Sequence, residues 1–338
     1  MRCRLPLAMG LALIFWATAS AADVVTRFGP QDASSHLVIW GSTDLQELKP
    51  VIESFLNLHP NMSITYSDLQ SADLYNRIRA GRPTSPDLTI STAADLQIKL
   101  VNDGFAHEHF LSSAASPRWP SWRNAAFAIS AEPAVTVYNV GLSALGPPPQ
   151  SREQLAQFID RNREKLRGRV ATYDIGLSGL GYLFATQDSI HSNTYTALVQ
   201  SLGRADVALH CCSGEMLDKV EKGDVLIAYN VLGSYALARK QRGAPIEIVL
   251  PADYTLVLSR VAMIPREAKR PDLGGAFLDF LLAPKIQARF ASLESYRPAD
   301  SIPSQPIALD ASLLVFLDPI KRARFIKAWQ ALIHSTRH

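Results

Sequence analysis

Apolar and polar positions along this chain change period repeatedly, from compact runs of four to six residues to stretches with apolar residues every three or four. Residues 36–40 form an apolar run that ends in Gly41, Ser42, Thr43 and Asp44. Leu45, Leu48, Val51, Ile52, Phe55 and Leu56 then recur at helical spacing, and Pro60 with Asn61 ends the segment. Residues 62–66 alternate as a second strand, Ser71 opens a helix through Ile78, and residues 87–90 make a third strand. Ser91 and Thr92 precede a helix through Val101 that stops at Gly104. Everything between residue 22 and His36 reads as a short polar leader.

Residues 125–140 hold two apolar stretches broken by Glu132 and Pro133, which suits a strand crossing into a second lobe. After the rigid turn of Gly146 and Pro147 to Pro149, a helix runs from Glu153 to about Leu166. Residues 169–173 form a strand leading into the small-residue turn Asp174 to Gly179 and another helix. Residues 215–220 are helical, 225–229 a strand, and 230–234 a turn into a helix through Ala238. Residues 246–250 and 255–264 are extended, and 277–282 with 286–290 form a helix pair around Pro284. Phe316, Ile320, Phe325, Ile326, Trp329 and Ile333 mark an amphipathic helical close.

Strands alternating with helices in this way predict an α/β fold, two-lobed for a chain of 338 residues, each lobe a mostly parallel sheet flanked by helices with a ligand cleft between. The boundaries implied are 23–130 with 245–300 for a discontinuous first lobe, 131–244 for the second, and 301–338 for a helical segment packing on both. In such sheets ligands bind beyond the strand C-termini, where helix N-termini present free N–H groups. Ser42, Ser71 and Ser91 sit at those positions, and each is either a ligand donor or an ordinary helix cap.

Composition adds a compartment. Arg2 and Arg4, an apolar run from Leu5 to Trp16, and the small residues from Ala17 to Ala22 have the order of a cleaved secretory signal peptide, residues 1–21. The apolar core falls short of the ~20 residues that span a bilayer. Cleavage removes two arginines and lowers the formal charge from +3 to +1. A periplasmic, freely soluble, monomeric protein follows. No basic stripe with interleaved aromatics points to nucleic acid. Cleavage also removes Cys3, leaving adjacent Cys211 and Cys212, either a vicinal disulfide or two thiols pointing apart.

Four stretches carry a resemblance: HLVIWGSTD (36–44), SPDLTISTAADLQIKLVNDGF (85–105), KGDVLIAYNVLGSYALAR (222–239) and GGAFLDFLLAPKIQARFASLESYRP (274–298). In this order they resemble type II periplasmic solute-binding proteins of ABC transporters, in the ferric-iron and organophosphate branch. The resemblance implies two lobes that close on a ligand by a hinge motion, an ABC permease as partner, and no catalysis or cofactor. It also admits a sensor role, with the periplasmic domain of a histidine kinase as partner. Iron-binding members place two consecutive tyrosines where this chain has Ser234 and Tyr235, so ferric iron loses one ligand. The ligand-facing residues implied are Ser42, Thr43, Ser71, Ser91, Thr92, Ser178, Gly179, Asn230 and Tyr235. Their hydroxyls and backbone donors suggest a small anion, such as a phosphorylated sugar, a phosphoglycerate-like acid or a carboxylate.

Enzyme and metal readings find less. A G-x-S-x-G elbow around Ser178 would need glycine where Leu180 stands. His107, Glu108 and His109 lack a further positioned donor for a metal. Tyr173 and Asp174 sit at a strand end where they would line the cleft, unless Asp174 caps the next helix instead, and Trp119 and Trp122 read as packing.

Overall fold

The computed structural model describes residues 23–81, 85–112, 120–291 and 303–334, so the signal-peptide reading and Trp119 lie outside the described residues. The chain begins with β1 (Val24–Phe28), β2 (Ser35–Gly41), α1 (Leu45–Leu58), β3 (Met62–Asp68) and α2 (Ser71–Arg79). It continues with β4 (Leu88–Ser91), α3 (Ala94–Asn102), β5 (Ser121–Trp122) and β6 (Ala126–Ala128). It then crosses into β7 (Glu132–Asn139), α4 (Arg152–Arg161), α5 (Arg163–Leu166), β8 (Val170–Tyr173), α6 (Gly179–His191) and α7 (Tyr195–Arg204). There it builds β9 (Ala208–His210), α8 (Ser213–Lys222), β10 (Ile227–Leu232), α9 (Gly233–Gln241), β11 (Ile246–Val249) and β12 (Thr255–Leu258). It returns through β13 (Val261–Met263), α10 (Pro271–Leu281) and α11 (Pro284–Ala291), and ends with β14 (Ser304–Pro306) and α12 (Pro319–His334).

Two seven-stranded sheets result. The first has the order β1-β3-β2-β4-β13-β6-β5, and the second β14-β12-β7-β10-β8-β9 with β11 also on β7. Parallel pairing holds β3-β2-β4 together in the first sheet and β10-β8-β9 in the second. Near the crossings β7 pairs antiparallel with β10 and β12, and β13 with β4 and β6, while β12 takes β14 in parallel on its other side. The two parallel triplets send their strand C-termini to the same place between the lobes.

Three expectations are corrected. The polar leader is an edge strand, since β1 pairs antiparallel with β3 from Val24 opposite Asp68 to Phe28 opposite Ile64. The return to the first sheet comes at residue 260 rather than 245, because β11 and β12 both pair with β7. Asn230 lies inside β10 rather than in a turn: its φ of 61° takes up a register shift between Ala228 and Val231, and the strand runs on to Leu232.

Packing follows the apolar periods. Leu48, Val51, Ile52 and Phe55 are the buried face of α1, with Phe55 edge-on to Phe277 and Phe280 of α10. In the tail, Trp329 and Ile333 are buried but Ile320 is exposed, so the apolar stripe of α12 covers only its later turns. That helix approaches α7 closely; a Cβ at Gly203 would lie 2.5 Å from the Ile333 carbonyl oxygen.

One buried charge works against the fold. Asp95 in the first turn of α3 is 2% exposed and has no hydrogen-bond partner at Oδ1. Burial raises its pKa from 3.8 to about 7. A raised carboxyl pKa means that stability is full below about pH 4 and is lost as pH rises through about 7. Asp95→Asn is therefore expected to leave the melting temperature near pH 4 unchanged and to raise stability at pH 8, by on the order of 3 kcal/mol. Chemical denaturation at both pH values checks the difference.

Candidate functional site

The first lobe contributes three turns. After β2, Gly41 must be glycine, since a Cβ there would meet the Tyr66 hydroxyl at 2.2 Å. Tyr66 donates to the Thr43 carbonyl and accepts from the Thr43 N–H at 3.3 Å, which fixes the course of residues 41–44. After β3 come Asp68, Leu69, Gln70 and Ser71, and after β4 come Ser91 and Thr92. The hydroxyls of these turns bond one another: Ser42 Oγ lies 3.3 Å from both Ser91 Oγ and Thr92 Oγ1 and accepts from the Thr92 N–H. Ser91 Oγ also accepts from the Ala93 N–H, the backbone just ahead of α3.

The second lobe answers with the turns after β8, β9 and β10. Ser178 Oγ accepts from the Gly181 N–H as the N-cap of α6, and Asp174 accepts from the Gly176 N–H within its own turn. Tyr173 hydroxyl lies 2.6 Å from Ser213 Oγ, which also accepts from the Leu232 N–H. Cys211 and Cys212 are joined as a vicinal disulfide at the start of α8.

Between these turns lies a cavity of about 40 Å³, lined from the first lobe by Ser42, Asp44, Asp68, Ser71 and Thr92 and from the second by Tyr173, Ser178, Tyr235 and residues 211–213. The lobes touch around it. The Asp44 N–H donates to the Tyr235 hydroxyl at 2.8 Å, a Cβ at Gly214 would lie 2.8 Å from Asp44 Oδ2, and one at Gly179 would lie 2.7 Å from Ser71 Oγ. So little space admits a solute of more than a few atoms only when the lobes part.

Two carboxylates set the electrostatics. Asp68 is pushed up to about 7, first by burial and then by the charge of Asp44. Asp44 is itself raised by burial, against the opposing pull of Arg260. Burial also lifts the Tyr173 and Tyr235 phenols above their usual range, so both are neutral. Among the described residues no Lys, Arg or His lines the cavity.

Arg260, whose charge acts on Asp44, is engaged at the hinge. It is 4% exposed in the crossing between β12 and β13, with Nε 2.5 Å from Glu132 Oε1 and Nη2 3.1 Å from Glu132 Oε2. Glu132 opens β7 at the other crossing and also accepts from Ser130 and Ser234. Burial alone would raise Glu132, but the Arg260 charge holds its pKa below the usual range. Behind this pair, between α1 and α9, a second cavity of about 260 Å³ is lined by Thr43, Glu47, Glu132, Ser234 and Arg260 among others.

Of the nine residues singled out in the sequence, Ser42, Ser71, Thr92, Ser178 and Tyr235 line the interlobe cavity. Ser91 stands behind Ser42, and Gly179 forms the interlobe contact beside the cavity. Two lie elsewhere. Thr43 turns to the hinge, where its Oγ1 accepts from Arg260. Asn230 is buried behind the second sheet, its amide on Asp188 Oδ2 at 2.7 Å beside Arg152, Tyr229 and Tyr254. Asp44, Asp68, Ser213 and the cysteine pair were missed; the strand-end rule that found Ser42 would have found Asp68 had it been applied to the end of β3. His107 and His109 do not form a metal site, since His109 Nε2 bonds Asp279 Oδ1 at 2.8 Å. Trp122 carries the Arg123 guanidinium over its ring at 4.4 Å.

Comparison with known proteins agrees with this architecture. A family model described as bacterial extracellular solute-binding protein matches residues 38–292. A crystal structure of the substrate-binding protein of an ABC transporter from Agrobacterium tumefaciens is similar over 93% of this chain and 100% of its own, at 33% identity and a TM-score of 0.85. Two more distant structures share the fold. The periplasmic binding protein AfuA from Actinobacillus pleuropneumoniae, with fructose-6-phosphate bound, has 19% identity, coverage of 89% and 99%, and a TM-score of 0.69. Iron-bound HitA from Pseudomonas aeruginosa has 16% identity, coverage of 90% and 100%, and a TM-score of 0.62. No curated protein sequence matches the chain.

Proposed function

The chain belongs to the bacterial extracellular solute-binding proteins of ABC transporters, type II in fold, and from that premise we propose that its interlobe cavity receives a small solute presenting a positive charge or several hydrogen-bond donors. The observation that carries this reading is the pair Asp44 and Asp68 in a cavity that no cationic side chain lines among the described residues. A solute anion placed there would meet two carboxylates in a site of reduced dielectric, where like charges repel most strongly. The hydroxyls of Ser42, Ser91 and Thr92 bond one another or nearby backbone N–H groups, and that of Ser178 caps α6. The two carboxylates favour an amine-bearing or polyhydroxylated solute over a phosphorylated sugar or carboxylate. Ferric iron is disfavoured because Ser234 stands where iron-binding relatives place the first of two consecutive tyrosines.

The role is that of a receptor. A solute bridging the turns of both lobes favours the closed form, and the ABC permease reads closure. Nothing in the arrangement pairs a nucleophile with a base, and we assign no catalysis and no cofactor. We further propose that residues 1–21 direct export and that the protein acts in the periplasm. No helix among the described residues is long and apolar enough to cross a membrane.

Thermal unfolding against matched panels tests the charge assignment: amines and amino acids, neutral polyols, sugar phosphates and carboxylates. A solute at a hundredfold excess over its Kd raises stability by ~2.7 kcal/mol. The shift is expected with amines or polyols. With an amine, binding draws Asp68 into its ionised form and releases a proton, so affinity rises as pH increases through about 7. Asp68→Asn flattens that rise. A shift confined to sugar phosphates or carboxylates would reject the reading.

A further inference from the structure

At the rim of the interlobe cavity, the sulfurs of Cys211 and Cys212 and a carboxylate oxygen of Glu215 all lie within 4.8 Å of one another, the sole grouping of three metal-ligand side chains among the described residues. The carboxylate is held between two neighbours. Its Oε2 lies 3.4 Å from both the Cys211 N–H nitrogen and the Cys211 sulfur, and its Oε1 lies 2.9 Å from His210 Nδ1. The His210 side chain is nine-tenths buried, and neither ring nitrogen has a hydrogen-bond partner, so the approach of Nδ1 to Glu215 is one of distance and charge alone. An imidazole set against a carboxylate that faces two sulfurs is the outer support from which thiolate–carboxylate metal sites are built. Local chain geometry produces the grouping, since Cys211 and the N-cap Cys212 lead directly into α8, whose first turn carries Glu215.

We propose that reduction of the Cys211–Cys212 disulfide creates a binding site for one thiophilic divalent cation, of the zinc or cadmium class, with both thiolates and Glu215 as ligands. A dithiol reductant supplies two electrons and two protons, cleaving the S–S bond to two thiols and becoming a disulfide itself. The cation then displaces the two thiol protons and takes three protein ligands, leaving a coordination position for water or a solute group. Thiolate ligands select this class over Mg²⁺ and Ca²⁺, which prefer an all-oxygen shell. Because both cysteines line the solute cavity, the bound cation sits where the lobes meet.

The test is a cadmium titration of the full chain in a Cys3→Ser background, so that Cys211 and Cys212 are the only thiols. It is followed by the ultraviolet thiolate-to-cadmium absorption and by dialysis stoichiometry, before and after reduction with a phosphine. One Cd²⁺ per reduced chain is expected, none per oxidised chain, and none after Cys211→Ser/Cys212→Ser. Glu215→Ala retains the absorption and weakens binding roughly tenfold. Equal uptake by the oxidised chain or by the double serine variant overturns the proposal. So does a reduced chain that takes up no cadmium, or one that circular dichroism shows to unfold. The readout involves no transported solute, so it stands or falls separately from the solute assignment above.

Discussion

Arg260→Met is expected to lower stability by about 3–5 kcal/mol, the cost of leaving one member of a buried ion pair alone. Methionine replaces the volume of the arginine stem and leaves Glu132, 1% exposed, with only the hydroxyls of Ser130 and Ser234. The variant also removes the donor to Thr43, and with it the bond from the second crossing to the turn that carries Asp44. The pH profile identifies the cause. In the parent, the Glu132 pKa is lowered, so the contribution of the pair is present at neutral pH and is lost only as pH falls below the usual carboxyl range. In the variant only the two serine hydroxyls oppose burial, the pKa rises, and stability increases as the buffer is acidified from pH 7 to 5. Arg260→Met/Glu132→Gln is expected to recover most of the loss by removing the stranded charge. Calorimetry of the three proteins at two pH values decides the matter, and an unchanged melting temperature in the single variant would remove the pair from the hinge's energetics.

Gly179→Val addresses closure instead of folding. A Cβ at 179 would lie 2.7 Å from Ser71 Oγ, 2.9 Å from Leu96 Cδ1 and 3.2 Å from Ala93 Cβ, all on the opposite lobe. Within its own lobe residue 179 begins α6, where a side chain is tolerated. The variant is therefore expected to fold with nearly the parent's melting temperature in the absence of solute, to scatter X-rays as a more open particle, and to bind solute at least about a hundredfold more weakly, equivalent to ~2.7 kcal/mol. Gly181 supplies the contrast on the same helix. Its Cβ would lie 2.3 Å from Tyr173 Cβ inside the second lobe, so Gly181→Val is expected to destabilise the fold. Equal melting losses for the two variants would show that residue 179 packs as part of one lobe's core.

The contrast between neighbouring glycines shows what periodicity can and cannot convey. The strand-turn-helix rhythm located the ends of β2, β4 and β8, and with them Ser42, Thr92 and Ser178, because the side of a sheet on which a ligand binds is a property of chain direction. Asp44 and Asp68 stand at the same ends, yet their charge acquires its meaning only from the depth of burial and from each other. Asn230 was misplaced because a left-handed residue within a strand looks, in sequence, like the start of a turn. β11 and β12 were placed in the wrong lobe for a related reason. Both pair with β7, more than a hundred residues earlier, and nothing local distinguishes that partner from a strand of the first sheet. Cys211 and Cys212 were legible as an adjacent pair but not as part of the cavity wall, since the short strand before them gains its direction only by pairing with β8.

The bond from the Asp44 N–H to the Tyr235 hydroxyl joins the lobes through protein groups alone and contributes to closure whether or not a solute is present. Apparent affinity scales with the fraction of receptors already competent to bind. Strengthening this bond raises that fraction and tightens binding. It also raises the fraction of unloaded receptors that are already closed, and so narrows the difference in shape between empty and loaded forms. Affinity and fidelity of signalling are thus set against one another at a single phenol.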